Sequence, residues 1–316
     1  MISFLMIAGG FVLLVYGANR LVDGASSLAR HYHVPNIVIG LTIIAFGTSA
    51  PELVVNVVAA SGGETDLVIG NVLGSNIMNV AIILGIASLI APLTVMSNTT
   101  WVEVPLSFLA ALLLVVMGND IILDITSVNV ISRSDGIVLL AFFLIFMVYS
   151  LHMMKSDVQE NHQEEQKYTL KRALLFIFLG LILAVVGGRL IVTGATSIAR
   201  ILGVSDRIIA LTIVALGTSL PELATSVVAV RKGKVDLAIG NIVGSNIFNI
   251  FFILGISAVI FPVEIPPGGM ADMGVNILAS LLLFVFIFTG KGRRLVAWEG
   301  MLFLGLYAGY LAYLLL

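Results

Sequence analysis

Glu52 and Glu222 lie well inside long apolar stretches of this chain, and nothing basic accompanies either of them. Nearly all the other members of the 18 acidic residues fall in polar loops or near the ends of apolar runs. A carboxylate deep in hydrocarbon costs several kcal/mol unless it meets a partner or water, so such a residue marks a place where charge is handled. Each glutamate follows a proline, Pro51 or Pro221, which cannot donate to the carbonyl of Gly47 or Gly217 four residues back. The helix must open there and free main-chain oxygens, and the two glycines give the backbone latitude at that point. Thr48 and Ser49, with Thr218 and Ser219, add hydroxyls beside the carboxylates. A cluster of hard oxygens is what a hard cation requires. The plain alternative is a protonated glutamate hydrogen-bonded within a helix bundle, beside an ordinary proline kink. Its repetition at two matching positions weighs against that alternative.

A second motif places Ser75 and Asn79, and likewise Ser245 and Asn249, four residues apart on one helical face. Each pair can aim neutral oxygens at one spot, or can serve as an interhelical hydrogen bond. Gly70 and Gly74, with Gly240 and Gly244, form GxxxG spacings that read as close helix packing. The histidines, His31, His33, His152 and His162, have no metal-ligand spacing, and no HExxH, GxSxG or phosphate-loop pattern is present. Nothing in the sequence suggests an enzyme or a bound cofactor, and the lack of cysteine excludes thiol chemistry.

These residues sit in a chain of 316 residues that is 59% hydrophobic and 11% charged, with a mean hydropathy of +1.12. Apolar runs of the roughly 20 residues needed to cross a bilayer recur along the whole length. Lipid offers no partner to a bare peptide group, and the runs lack the alternation of barrel strands, so they must be helices. The expected fold is an all-α membrane protein, with lipid as its surroundings. The net charge of −2 points to no nucleic acid. The first apolar run has no basic segment before it and has a counterpart starting near Ile177, so it is expected to remain as a helix.

Laying the chain on itself at a shift of 170 residues aligns Val34–Val80 with Val204–Ile250 without a gap, including GTSAPEL with GTSLPEL and IGNVLGSNIMN with IGNIVGSNIFN. Gly24, Ala25, Ser27, Ala29 and Arg30 find Gly194, Ala195, Ser197, Ala199 and Arg200 at the same shift. Each half offers about five spans, roughly 2–17, 37–60, 66–92, 101–118 and 135–153, then roughly 171–190, 205–230, 235–262, 271–289 and 296–316. That divides the chain into a first repeat at 1–154, a linker at 155–170 and a second repeat at 171–316. Alternating the loops puts Arg20, Arg30, Lys155, Lys167, Lys171, Arg172, Arg231, Lys232, Lys234, Lys291, Arg293 and Arg294 on one side. Arg133, Arg189, Arg200 and Arg207 fall on the other. The positive-inside rule makes the first side cytoplasmic, with both termini outside and the linker within. An odd number of spans per half inverts the second repeat, an arrangement typical of secondary transporters with a site near the midplane.

GTSAPE with GNVLGSN, repeated as GTSLPE with GNIVGSN, resembles the alpha-repeat motifs of the sodium/calcium exchanger family among the calcium:cation antiporters. The resemblance covers nearly the whole chain and implies a prokaryotic-type transport unit without a large regulatory domain. It implies a cation site built from Thr48, Ser49, Glu52, Ser75, Asn79 and the Ala45 carbonyl, with Thr218, Ser219, Glu222, Ser245, Asn249 and the Ala215 carbonyl. Amides at both Asn79 and Asn249 argue against potassium dependence. The expectation is an antiporter in the cell membrane exchanging sodium for calcium by alternating access. One calcium would balance two carboxylates, three sodium ions would exceed them by one charge, and each cycle would be electrogenic. A single chain suffices for such a site. Proton/calcium or other cation/calcium exchange is the alternative, since buried glutamates also carry protons; a cation channel is a more distant one.

Overall fold

The computed structural model describes residues 2–96, 99–123, 128–153, 168–203, 215–289 and 292–315. The chain folds as helices named here in order: α1 (Ile2–His31), α2 (Asn36–Thr48), α3 (Ala50–Gly62), α4 (Thr65–Ile90), α5 (Thr99–Met117) and α6 (Arg133–Met153). In the second half follow α7 (Leu170–Ile201), α8 (Ala215–Thr218), α9 (Leu220–Arg231), α10 (Val235–Ile260), α11 (Gly269–Thr289) and α12 (Ala297–Leu315). Among the described residues seven helices are long and apolar enough to cross a membrane, or eight when the bent pair α2 and α3 counts as one span. Most of the linker, and residues 204–214 of the expected seventh span, lie outside the described residues.

The first and sixth spans run further than their apolar stretches suggest. Arg20 and Arg30 lie inside α1, and Arg189 and Arg200 inside α7, not in loops. The extensions stay helical because they bury small residues, among them Ala18, Gly24, Ala25, Ser26, Ser27 and Ala29, against the rest of the bundle. Hydropathy averages hide such a face.

The most extensive helix contact in the molecule joins α1 to α7. Gly10, Gly17 and Gly24 recur at seven-residue spacing, two helical turns apart, and so do Gly180, Gly187 and Gly194. Gly10 faces Gly187, Gly17 faces Gly180 and Ala184, and Gly24 faces Ala173 and Ile177, so the two helices run antiparallel. A methyl group at Gly17 would sit 2.6 Å from the Ala184 nitrogen, and one at Gly187 would sit 2.5 Å from that of Leu14. Backbone meets backbone along the seam.

Elsewhere the halves pack reciprocally. The start of α6 lies on α10, with Gly136 against the Gly255 carbonyl, while the start of α12 lies on α4, with Gly300 against the Gly85 carbonyl. Two short antiparallel pairings accompany these contacts. Strand β1 (Leu93–Thr94), after α4, pairs with β4 (Arg294–Leu295), before α12; β2 (Val130–Ile131), before α6, pairs with β3 (Val263–Glu264), after α10. Of the GxxxG glycines, Gly240 and Gly244 press against α2 at Ile37 and Leu41, as close packing demands. For Gly70 and Gly74, positions 207 and 211, which match Ile37 and Leu41 at the 170-residue shift, lie outside the described residues.

The seam yields a direct test. Gly17→Ala is expected to lower the stability of the purified protein by about 1–3 kcal/mol through overpacking, read by unfolding in detergent. Gly9→Ala, on the same helix where an added methyl meets nothing within 4 Å among the described residues, should not lower stability.

Candidate functional site

Both proline motifs break their helices where the sequence requires. Helix α2 ends at Thr48 and α3 begins at Ala50, the two being bent by 47°. Ser49 at the break has φ −83° and ψ 6°, and Ser219 in the matching position has φ −88° and ψ 8°. Pro51 and Pro221 then fall in the first turn of α3 and α9, where a missing N–H costs nothing. Glu52 and Glu222 follow immediately, each about 1% exposed. At the far ends, Gly63 and Gly233 leave α3 and α9 in the left-handed region, at φ 74° and 71°.

The two carboxylates are held by crossed bonds. Ser49 Oγ donates to Glu222 Oε1 at 3.1 Å, and Ser219 Oγ donates to Glu52 Oε1 at 3.5 Å. Each serine therefore serves the glutamate of the other half, which brings both acids to the contact between the halves. No lysine or arginine side chain is buried with them among the described residues.

The second motif completes an oxygen-rich interior. Ser75, Asn79, Ser245 and Asn249 are all buried on α4 and α10. At Asn79 and Asn249 the helices loosen into π-helical turns, Asn79–Leu84 and Phe248–Leu254, a wider winding that is rare and concentrates at functional sites. Among the buried oxygens without a hydrogen-bond partner in the described residues are six of these two motifs: Glu52 Oε2, Ser75 Oγ and Asn79 Oδ1, and their mates Glu222 Oε2, Ser245 Oγ and Asn249 Oδ1. Leaving a buried acceptor unmet costs about 1–3 kcal/mol, and more for a charged one. Buried oxygens with lone pairs left free can be satisfied by a cation.

Thr48 is fully buried, its hydroxyl 3.1 Å from both the Ile44 carbonyl and Asn241 Oδ1; Asn241 in turn donates to Ser226 Oγ at 3.0 Å. Thr218 is half-buried at the end of α8. The Ala45 carbonyl accepts the Ser49 N–H at 3.0 Å and lies 3.4 Å from the Thr48 hydroxyl. Ala215 opens α8. Sequence reasoning passed over Asn76, Asn246 and Asn241, although all three stand inside the repeated GSN and IGN motifs. It also did not single out two further buried acids. Glu103 accepts the Tyr149 hydroxyl at 2.7 Å, and Glu299 accepts the Val296 N–H at 2.7 Å together with the Thr289 hydroxyl.

Comparison with known proteins agrees with this architecture. The sodium/calcium exchanger protein family matches residues 2–152 and 172–316. The putative antiporter CaxA of Alkalimonas amylolytica is 39% identical over 319 residues, covering 98% of each chain. The sodium/calcium exchanger MaX1 of Methanosarcina acetivorans is 31% identical, covering 99% of this chain and 98% of that one. A solved structure of the sodium-calcium exchanger NCX_Mj, soaked with sodium and strontium, superposes with a TM-score of 0.85 at 32% identity over 98% of each chain. With the motifs, the helical fold and matches of this extent in agreement, the chain belongs to the sodium/calcium exchanger protein family.

Proposed function

We infer that this protein is a secondary antiporter that exchanges sodium for calcium across the membrane, at a site shared between its two halves. The observation that carries the reading is the crossed pair of bonds, Ser49 to Glu222 and Ser219 to Glu52, which assembles two carboxylates from separate halves in one buried place. Calcium binds between Glu52 and Glu222, its charge matched by theirs, with the unmet oxygens of Ser75, Asn79, Ser245 and Asn249 completing its shell. Thr48, Ser49, Thr218 and Ser219, and the carbonyls of Ala45 and Ala215, supply overlapping places for sodium. Magnesium competes poorly, because it gives up water reluctantly and demands a tight octahedron.

The chain is divided into two five-span repeats, 1–154 and 171–316, of inverted topology, joined by a cytoplasmic linker at 155–170, with ten spans in all and both termini outside. Support comes from the antiparallel packing of α1 on α7, which occupy equivalent places in the two halves, and from the reciprocal contacts of α6 with α10 and α12 with α4. One copy of the chain contributes every side chain of the site. More sodium charge than calcium charge moves in each cycle, so transport is electrogenic, and the bare acids keep the empty carrier from reorienting. Helices α1 and α7 slide against the core. Gly47, at the break before Glu52, faces Leu181 of α7, so a shift of that helix reaches the site directly.

Two measurements test this. In sodium-loaded vesicles, Glu52→Gln and Glu222→Gln are each expected to reduce calcium uptake to background; normal uptake in either contradicts the assignment. In the same wild-type vesicles, a sodium gradient at fixed pH should drive uptake, while a pH gradient in sodium-free buffer should not; the reverse result makes the coupling ion a proton. Separately, Ser49→Ala and Ser219→Ala should each cost about 1–3 kcal/mol of ion-free stability, because each strips a buried carboxylate oxygen of its donor. Ser→Thr at either position, which keeps the hydroxyl, should restore most of it.

A further inference from the structure

Beside the site stand two buried amides that the functional reading does not use, Asn76 on α4 and Asn246 on α10, related by the same 170-residue shift. Asn76 Nδ2 donates to the Asn246 main-chain carbonyl at 3.3 Å. Asn249 Nδ2 donates to Asn76 Oδ1 at 2.9 Å, and Asn79 Nδ2 donates to Asn246 Oδ1 at 3.0 Å. Every one of these bonds crosses from one half of the chain to the other. Meanwhile Asn79 Oδ1 and Asn249 Oδ1 are buried with no partner.

The direction of the Asn249–Asn76 bond is fixed by chemistry. A main-chain carbonyl can only accept, so the Asn246 carbonyl compels Asn76 to present its NH2 group there. The Asn76 oxygen must then face Asn249, and an oxygen likewise can only accept. Asn249 therefore turns its own NH2 toward Asn76 and its oxygen away. An amide free to rotate could offer either end to an ion, and the NH2 end would repel it. Asn246 Oδ1 accepts from Asn79 Nδ2 across the same interface, from the opposite half.

We propose that Asn76 and Asn246 are positioning residues for ion binding: each anchors the NH2 group of the partner half's Asn249 or Asn79 and so points that residue's amide oxygen at the cation. The proposal rests on the reading of Asn79 and Asn249 as ligands. It adds that the two are oriented across the repeat interface, by side chains that need not touch the ion. The consequence for exchange is specific. Any movement between α4 and α10 that lengthens these bonds releases the ligand oxygens, so occupancy of the site and the register of the two central helices depend on each other.

Outer partners that orient metal ligands typically change affinity by about 10- to 100-fold when removed. The test is a set of double-mutant cycles on calcium binding to the purified full-length protein, with half-saturating calcium as the readout and ion-free unfolding as the check on folding. Asn76→Ala should raise half-saturating calcium about tenfold. In an Asn249→Ala background the same substitution should change it less than about twofold, because there is no longer an amide to orient. Asn246→Ala should behave likewise toward Asn79→Ala. The crossed combinations, Asn76 with Asn79 and Asn246 with Asn249, should be nearly additive. A merely structural role would lower unfolding stability and add equally in every background; that result, or no change in affinity for either substitution, overturns the proposal. Asn76→Thr and Asn246→Thr, close to asparagine in volume, should reproduce the alanine pattern and serve if an alanine variant does not fold. Unaltered affinity in Asn79→Ala and Asn249→Ala alone would instead overturn the ligand assignment, so the two failures are distinguishable.

Discussion

Two carboxylates, one from each half, are buried with no basic side chain beside them among the described residues, and most of the architecture follows from accommodating that pair. Hydroxyl donors from Ser49 and Ser219 satisfy one oxygen of each acid and leave the other open. Neutralising the pair with a buried arginine would have been the ordinary solution for stability. It would also have removed any use for a cation. In the proposed site, leaving one oxygen of each acid open would tie the energy of the site to occupancy by an ion, and would make reorientation of an empty site costly.

The backbone around the acids is shaped to match. A regular helix would carry the Glu52 and Glu222 carboxylates past the interface with every carbonyl already bonded. The break at Ser49 and Ser219 lets the chain turn by 47° at the first of these, and the prolines fall where their missing N–H is harmless. On the facing helices the π turns do complementary work. By widening the winding just at Asn79 and Asn249 they alter the angle at which those side chains leave α4 and α10.

Duplication made the acids, hydroxyls and amides legible in the sequence, because a chance feature does not recur at a fixed shift in company with its neighbours. The proline breaks were legible for a chemical reason, the absence of an N–H. Other features were hidden because they depend on what faces each residue. Asn76 and Asn246 were missed since helical spacing groups Ser75 with Asn79 and puts Asn76 on another face; only the opposing half supplies its partners. The true lengths of α1 and α7 were obscured because Ala18, Gly24 and Ala29 are weakly hydrophobic yet buried. Their glycines were in plain view at seven-residue spacing, a pattern that motif searching for GxxxG does not detect.

The glycine seam also constrains how the molecule can move. Along α1 and α7 the main chains approach so closely that a methyl group would meet partner backbone atoms at 2.5–2.8 Å. Two helices meshed this way cannot slip past one another by small steps without separating, since the glycine notches recur only every second turn. A displacement of either helix therefore carries the other with it, and the pair behaves as one body relative to the core. Its contacts with that core are fewer, and among them is the face of α7 that lies on Gly47 beside the Ser49 break. Small residues on the break leave room for Leu181, so the side chain pressed there depends on where the pair stands along its axis. Under the proposed exchange, movement of the pair at the periphery of the bundle would reach the break beside Glu52 through this contact.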